Sequence, residues 1–419
     1  MADSPTGDTR AHVVVINRWR EHYAEYAGYL DHQTHRVTYI STSVGLGSVP
    51  DTAADVVLVE ATDDLDEARA ALAELVRRHG RPHRIVALKE DDLLVGAQLR
   101  ADHDVPGDRP ADLVRFRDKF LMCQAIEAAG GPVPRFAAVD GPAGILDLAD
   151  RAGWPLVLKP RVGSSSAGVV LLTGLSDVAE LAPFTEPMMV QAFNPHPIHH
   201  VDGVFTGTGL DRWRVSRYVN TCLGFREGTV LGSVEEDDPE VVAAVGAAAA
   251  AFLGALTDAP VPFHLEVFVE RGPTGVSCSF LEVGARVGGA EIPFIWRDLH
   301  GWDLMRVAFD LQMRATPRPP GRETGEAGGW LLVPAPATRP CVITEATPMV
   351  GREPGPYAEV LLSPGEVLPD ADAYYEHVGG RFRFRGRTTA DVEAALMATA
   401  AEFRVHAEPT TAHLQEMTR

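Results

Sequence analysis

The sequence predicts a chain of mixed α/β and α+β class built from several packed units, and three observations carry that expectation. Its 419 residues exceed what one hydrophobic core usually organises. Residues 12 to 105 alternate short apolar runs with helix-like periodicity, which is the pattern of a small parallel α/β unit. Further on, two apolar runs over 261–270 and 276–285 flank Arg271-Gly272-Pro273-Thr274-Gly275, and together they read as an antiparallel hairpin.

Taken in order, the first unit covers 1–109 and should hold strands at 12–17, 36–41, 54–60 and 84–90, with a helix at 65–80. Gly45-Leu46-Gly47-Ser48-Val49-Pro50 departs from a dinucleotide fingerprint at its last residue and follows the second strand, so it reads as a glycine-rich loop. The second unit, 110–187, opens with one amphipathic helix over 111–129 that Gly130-Gly131-Pro132 ends. Strand 134–139, helix 145–152 and strands 155–159 and 168–173 follow. The third unit, 188–315, should hold strands at 188–193, 201–206 and 212–220, an alanine-rich helix at 240–256, the hairpin, and a helix at 298–313. Residues 316–328, rich in Pro, Gly and charge, read as a linker. A last α+β segment, 329–419, should end in a helix at 389–403.

Composition excludes some functions. With 38 Lys and Arg against 58 Asp and Glu, the formal charge is −20, which argues against a nucleic-acid partner, because polyanion binding needs clustered cations. No apolar run approaches the roughly 20 residues of a membrane span, so no membrane association is expected. Cys123, Cys222, Cys278 and Cys341 lie far apart without a CxxC pair, the pattern of neither a disulfide framework nor a zinc site. The polar start Met1-Ala2-Asp3-Ser4-Pro5 and the short apolar run at 13–16 do not make a signal peptide, and a reducing cytoplasm is the expected setting.

The hairpin carries the first candidate site. Pairing about its turn sets Glu266 close to opposite Glu282. Like charges across an antiparallel pair destabilise it, so two such carboxylates call for a cation, and oxygen-only ligands favour Mg²⁺ or Mn²⁺ over zinc. Side chains alternate along a strand, which puts Glu282, Gly284 and Arg286 on one face, where the guanidinium can fork onto phosphate oxygens. His264, two residues before Glu266, shares that residue's face. These residues alone also fit two solvated glutamates on an exposed hairpin.

A second candidate begins at Lys159, which ends an apolar strand and runs into Pro160-Arg161-Val162-Gly163-Ser164-Ser165-Ser166-Ala167-Gly168. Loops of small residues with free N–H groups fold over phosphates. Gly163 and Gly168 have the spacing of a Walker pair, but Val169-Val170 stand where Lys-Ser or Lys-Thr is required, so a P-loop is excluded. A hairpin with a serine-rich turn is the bland alternative. Lys119, in Arg117-Asp118-Lys119-Phe120, lies on a helix and by itself reads as a solvated charge.

Asp118-Lys119, Lys159 with its small-residue loop, and Glu266 with Glu282 stand in an order that resembles the ATP-grasp ligases, in the carboxylate–amine branch that includes L-amino acid ligases and relatives in natural-product biosynthesis. The resemblance spans 110–315. It implies an N-terminal parallel α/β domain, a small central lid domain and a C-terminal antiparallel-sheet domain. It implies that Lys119 and Lys159 contact ATP phosphates and that Gly163, Ser164, Ser165, Ser166 and Gly168 close over them. By the same resemblance 189–193, with Gln191, Ala192 and Phe193, forms the hinge against adenine. Glu266 and Glu282 would then hold Mg²⁺, for which Mn²⁺ can substitute, and Arg286 would hold the transferred phosphate. Gly288 and Gly289 would leave room for backbone close to the substrate. A homodimer is a family-level expectation.

Two departures stand out. The family pattern Glu-x-Asn is Glu282-Val283-Gly284 here, and glycine has no side-chain oxygen for a second metal. Around the hinge, two acidic residues are replaced by Gln191-Ala192-Phe193, followed by Pro195-His196-Pro197-Ile198-His199-His200-Val201-Asp202. His196, His199 and His200 read as a hinge loop making local hydrogen bonds, with metal ligation the sharper alternative. Arg212, Arg214 and Arg217 share one strand and suit either an anionic substrate or simple balance of an acidic surface.

The implied reaction has small-molecule carboxylate and amine substrates. The carboxylate attacks the γ-phosphate of ATP, and an amine displaces phosphate from the acylphosphate to form an amide. Phosphoryl transfer rests on positioning and charge neutralisation, in keeping with candidates that are lysines, an arginine and carboxylates. Acylation of a carrier-protein thiol is a second enzyme reading. A nucleotide-binding regulatory protein without turnover is the rival from another class, and Gly284 favours it. A carboxylase-type member finds no biotin-specific feature here.

Overall fold

The computed structural model describes residues 10–19, 23–319, 321–370 and 377–410; the polar start from Met1 to Pro5 lies outside them. The first sheet is parallel, with strands Asp55–Leu58, His35–Ser41, Ala11–Asn17 and Arg84–Ala87 in that spatial order. Its central strand is buried on both faces: Val13 and Val15 join one apolar cluster, Val14 and Ile16 another. A strand covered on both sides needs continuous apolar sequence, which Val13-Val14-Val15-Ile16 supplies. Helix Leu65–His79 covers one face through Ala68, Ala71, Leu72 and Leu75, and Asp64 caps it by accepting from the Asp66 and Glu67 N–H groups. The fourth strand stops at Ala87, short of the expected 90, and Glu90–Asp92 turns at the carboxyl end of the sheet.

The single helix expected over 111–129 is three pieces, Pro110–Leu113, a 3-10 turn Val114–Phe116, and Lys119–Ala128. Asp118 causes the break, since its carboxylate accepts from the Phe120 and Leu121 N–H groups and starts a new helix. Lys119 is therefore a first-turn residue rather than a mid-helix one.

The small second sheet is antiparallel, in the order Phe136–Val139, Met188–Ala192, Leu156–Pro160 and Val170–Leu172, with helix Pro142–Ala152 packed on it through Ile145 and Leu148. Met188–Ala192, read from sequence as opening the third unit, pairs inside this sheet.

The large sheet has eight antiparallel strands in the order Gly275–Gly284, Val261–Gly272, Ile198–Phe205, Leu210–Val219, Leu231–Glu235, Ala327–Pro334, Val378–Gly386 and Ala358–Leu361. It takes strands from both sides of 316–328, so the last segment continues the sheet of the third unit. Ile198–Phe205 starts before the expected 201, which turns His199 and His200 from hinge-loop residues into buried strand residues. Strand Leu231–Glu235 and short helix Cys222–Arg226 had no clear sequence signal. Helix Pro239–Leu256 lies on one face, burying Val241, Val245, Ala249, Phe252, Leu253 and Leu256. With mean hydropathy 1.8 over 18 residues it is the one helix among the described residues long and apolar enough to cross a membrane, and the large sheet takes up its apolar face.

The helix expected at 298–313 is two, Ile292–His300 and Leu304–Met313. Gly301 breaks it at φ +64, where a Cβ would meet the Arg322 backbone at 2.7 Å. After Val378–Gly386, helix Thr389–Glu402 packs on the large sheet, and Val367–Leu368, Cys341–Ala346 and Val405–Pro409 form a third small sheet. The four cysteines are unpaired.

Candidate active site

Hairpin pairing puts Glu266 directly opposite Glu282, with a bulge immediately after Glu266. The pair is not a solvated decoration. The Glu266 side chain is 12% exposed, accepts the Tyr218 hydroxyl at 2.8 Å and lies 3.5 Å from His264 Nε2. Burial alone would raise the Glu266 carboxyl, but His264 and Tyr218 hold it below the usual range. Glu282 is more open, and Lys119 Nζ stands 3.7 Å from it. Burial and then the Glu266 charge push the Tyr218 phenol well above its ordinary value.

Sheet register also explains the histidines. His264 pairs with Asp202, and Glu266 with His200, so Asp202 is bracketed: His200 Nδ1 lies 2.6 Å from one oxygen and His264 Nδ1 2.9 Å from the other. His200 Nε2 meets Ser233 Oγ at 2.7 Å. Burial would lower the His264 imidazole, yet Asp202 and Glu266 raise it to about 9; burial would raise the Asp202 carboxyl, yet His264 and His200 hold it well below the carboxylate range. The potential ligand atoms of His200, Asp202 and His264 lie within 4.8 Å of one another. Their mutual hydrogen bonds occupy both Nδ1 atoms and both carboxylate oxygens, which makes the cluster a brace that aims His264 at Glu266. His199 and His196 stand apart, each 3.5 Å from its own carboxylate, Glu236 and Glu270.

Arg286 reaches across the molecule. Its Nε donates to Glu90 Oε2 at 2.8 Å and its Nη2 lies 2.7 Å from the same oxygen, while Arg117 Nη1 is 2.6 Å from Glu90 Oε1. Arg117 continues to Asp91 at 3.0 Å, and Asp91 to Arg18 at 2.9 Å. Burial would raise the Glu90 carboxyl, but Arg286 and Arg117 hold it low. Sequence reasoning missed Glu90, Asp91 and Arg117. The available signal was Glu90-Asp91-Asp92 directly after a parallel strand, since sites in parallel sheets collect at the strands' carboxyl ends.

The glycines divide by role. A Cβ on Gly288 would lie 2.3 Å from Asp202 Oδ1 and 3.0 Å from His264 Nδ1, so its missing side chain makes room for the brace; Gly289 faces open space. At Gly284 a Cβ would meet Arg286 at 3.4 Å and Glu90 Oε1 at 3.6 Å, so a longer side chain there would enter the Arg286–Glu90 pair.

On the lid side, Lys159 is 4% exposed and its Nζ donates to Gln191 Oε1 at 2.9 Å. Burial lowers the ammonium, with Glu282 opposing. Among the described residues no carboxylate touches it. Lys119 Nζ donates to the Gly163 carbonyl at 2.8 Å. In the loop beyond, Ser165 and Ser166 take left-handed φ of 53° and 54° and Gly168 of 68°, and Arg226 Nε donates to the Ser165 carbonyl at 3.1 Å. Of the expected hinge, Gln191 is buried, Ala192 ends its strand, and Phe193 is 43% exposed.

A cavity of about 510 Å³ joins these parts. Ser164, Ser165, Ser166, Glu266, Glu282, Arg286, His264 and Gly289 form its polar end, and Lys119, Lys159 and Gln191 are not on its wall.

No protein-family model matches the sequence. Among curated proteins, the chain is 24% identical over 254 residues to the L-arginine-specific L-amino acid ligase of Bacillus subtilis, covering 57% of this chain and 59% of that protein. It is 29% identical over 136 residues to D-alanine–D-alanine ligase of Bordetella petrii, covering 30% of this chain and 41% of that one. The matches thus span 59% and 41% of those relatives' lengths. Among solved structures, L-amino acid ligase from Bacillus licheniformis superposes with a TM-score of 0.71 at 16% identity, over 95% of this chain and 98% of that one. The parallel sheet, the small antiparallel sheet and the large antiparallel sheet, in that order along the chain, are the ATP-grasp fold, which this chain shares with that structure.

Proposed function

We propose that this chain is an ATP-dependent carboxylate–amine ligase that joins amino-acid-like substrates through an acylphosphate and releases ADP and phosphate. Lys159 carries the reading. A buried ammonium without a carboxylate in contact is costly, and a polyanion at that place offsets the cost; ATP phosphates are the polyanion that the fold accommodates. The carboxylates fit a divalent cation in the same way, because Glu266 and Glu282 oppose each other across one ladder, and Lys119 at 3.7 Å is the nearest cation to the more open of the two. Glu266 and Glu282 would hold Mg²⁺, or Mn²⁺ in its place, and the ion would supply positive charge that neutralises phosphate there.

The protein's own part is positioning. Lys119 and Lys159 hold phosphate oxygens from the lid side, and Arg286, locked by Glu90, faces the acyl end. The substrate carboxylate attacks the γ-phosphorus, the bond to the β-phosphate oxygen breaks and ADP leaves. An amine nitrogen then attacks the acyl carbon, phosphate departs and the amine's proton is lost to solvent. The loop 163–168 shields the acylphosphate from water. A cytoplasmic setting and a homodimer belong to this reading.

The test is ADP and phosphate release from purified protein with Mg²⁺ and ATP across amino acids offered singly and in pairs. Release that requires a particular pair establishes the ligase and names both substrates. ATP binding without release under any pair overturns it in favour of a carrier-protein acceptor or a non-catalytic nucleotide-binding role, the reading that Gly284 favours.

A further inference from the structure

The cavity is two-ended. Beyond the polar end at Glu266, Glu282 and Arg286, its wall includes Trp19, Tyr23, Leu231, Trp330, Leu332 and Val378, with Glu366 and Arg381 on the same lining. Leu231, Trp330 and Leu332 form a floor only 1–3% exposed, contributed by adjacent strands of the large sheet, and Val378 closes it at 9%. Trp19 and Tyr23 pack against each other with rings tilted by 53° at 5.0 Å between centroids, half-buried, and come from the parallel domain. Arg381, also on the wall, lies 3.0 Å from Glu291, which Arg383 shares at 3.3 Å.

We infer that this apolar end selects the acyl donor, and that the donor is a carboxylic acid carrying a bulky apolar or aromatic body. The inference rests on the ligase reading and deepens it. A donor must put its carboxylate beside Arg286 and the paired glutamates, and the rest of the molecule then extends along the continuous cavity onto the indole and aliphatic floor. Apolar surface placed on that floor leaves water, while Arg381 keeps Glu291 and Glu366 keeps the Ser363 N–H. An acid with a short or charged body leaves that end unfilled or buries a charge against it. Aromatic bodies gain further from edge contacts with Trp330 and Trp19.

The experiment is titration calorimetry on the full chain with Mg²⁺ and the non-hydrolysable β,γ-imido analogue of ATP, using 3-phenylpropanoate and phenylalanine against acetate and alanine. The aromatic acids should bind at least tenfold more tightly. Trp19→Ala, which alters a half-buried rim residue, should weaken the aromatic acids at least fivefold and leave the short ones unchanged. Leu361→Trp, which narrows the same end from a partly exposed position, should do the same by filling it. Equal or tighter binding of the short acids, or no binding of any acid, overturns the inference. ADP release driven by alanine with no aromatic advantage overturns it while leaving the ligase reading intact. Tight aromatic binding with no turnover under any amine supports the pocket and counts against the ligase reading.

Discussion

Arg286 and Glu90 are 196 residues apart in sequence and 2.7–2.8 Å apart in space, so the end of the acidic hairpin is pinned to the carboxyl end of the parallel sheet. Because Glu90 also takes Arg117 at 2.6 Å, the carboxylate holds two cations in place, and one of them faces the cavity. Glu90→Gln should therefore leave Arg286 without that counter-charge and Arg117 with Asp91 alone. Turnover should fall about 10-fold to 100-fold with ATP affinity little changed, measured as kcat for ADP release beside nucleotide titration.

Arg286→Ala removes the cation itself. Loss of one preorganised charge of this kind costs about 10²–10³ in kcat. The fold should persist, because Glu90 keeps Arg117, with a loss on the order of 2 kcal/mol from the charged hydrogen bonds. Glu282→Ala should likewise abolish turnover with the fold intact. Circular dichroism controls for folding, and wild-type ADP release in either variant would defeat the site assignment.

Lys159→Met separates function from stability. A buried ammonium whose one hydrogen bond among the described residues is to Gln191 gives way to an apolar chain of similar length, so the nucleotide-free protein should gain on the order of 1 kcal/mol. ATP affinity should fall at least tenfold. Denaturant unfolding and nucleotide titration of the same preparation read both, and a destabilised variant with unchanged ATP affinity would refute the phosphate role.

Gly288→Ala puts a methyl group 2.3 Å from Asp202 Oδ1 and 2.6 Å from Ile292 Cδ1. Overpacking of this kind costs about 1–3 kcal/mol, and the movement should tilt His264 away from Glu266. Thermal unfolding checks the first effect and ADP release the second, whereas Gly289→Ala, which meets nothing within 4 Å, should leave the melting temperature unchanged.

Asp92 makes stability depend on pH. Burial outweighs Arg18 and the Thr62 hydrogen bond and raises its carboxyl from 3.8 to about 6. A raised acid is better accommodated protonated, so its favourable contribution is complete below pH 3.8 and is lost as pH rises through about 6. Asp92→Asn, which keeps an acceptor for Thr62, should match wild type near pH 3.5 and exceed it by about 3 kcal/mol at pH 8. Unfolding midpoints of both proteins across that range decide it, and parallel curves would show that Asp92 is ionised without cost.

The parallel unit, the lid strands and the acidic hairpin were legible because each is a local pattern. Val13 to Ile16 must be covered on both faces, and the turn at Pro273-Thr274 sets a register that brings Glu266 to within one residue of Glu282, the bulge after Glu266 supplying the last step. Lys119, Lys159 and Arg286 were legible as candidates through their order along the chain. Their partners were not. Glu90, Asp202 and Trp330 join the candidate site only when the parallel and the large sheet meet, since a contact between positions 90 and 286 or 202 and 264 leaves no mark in either neighbourhood. His200 shows the limit most plainly: read locally it is one histidine in a proline-rich loop, but strand pairing on both sides buries it, hands it Asp202 and Ser233, and makes it a brace. Sequence by itself determined which residue types could do phosphoryl chemistry and in what order they stand; the tertiary structure decided which are held, by what, and that an apolar chamber opens behind them, because burial and electrostatic pairing are properties of packed surfaces and not of segments.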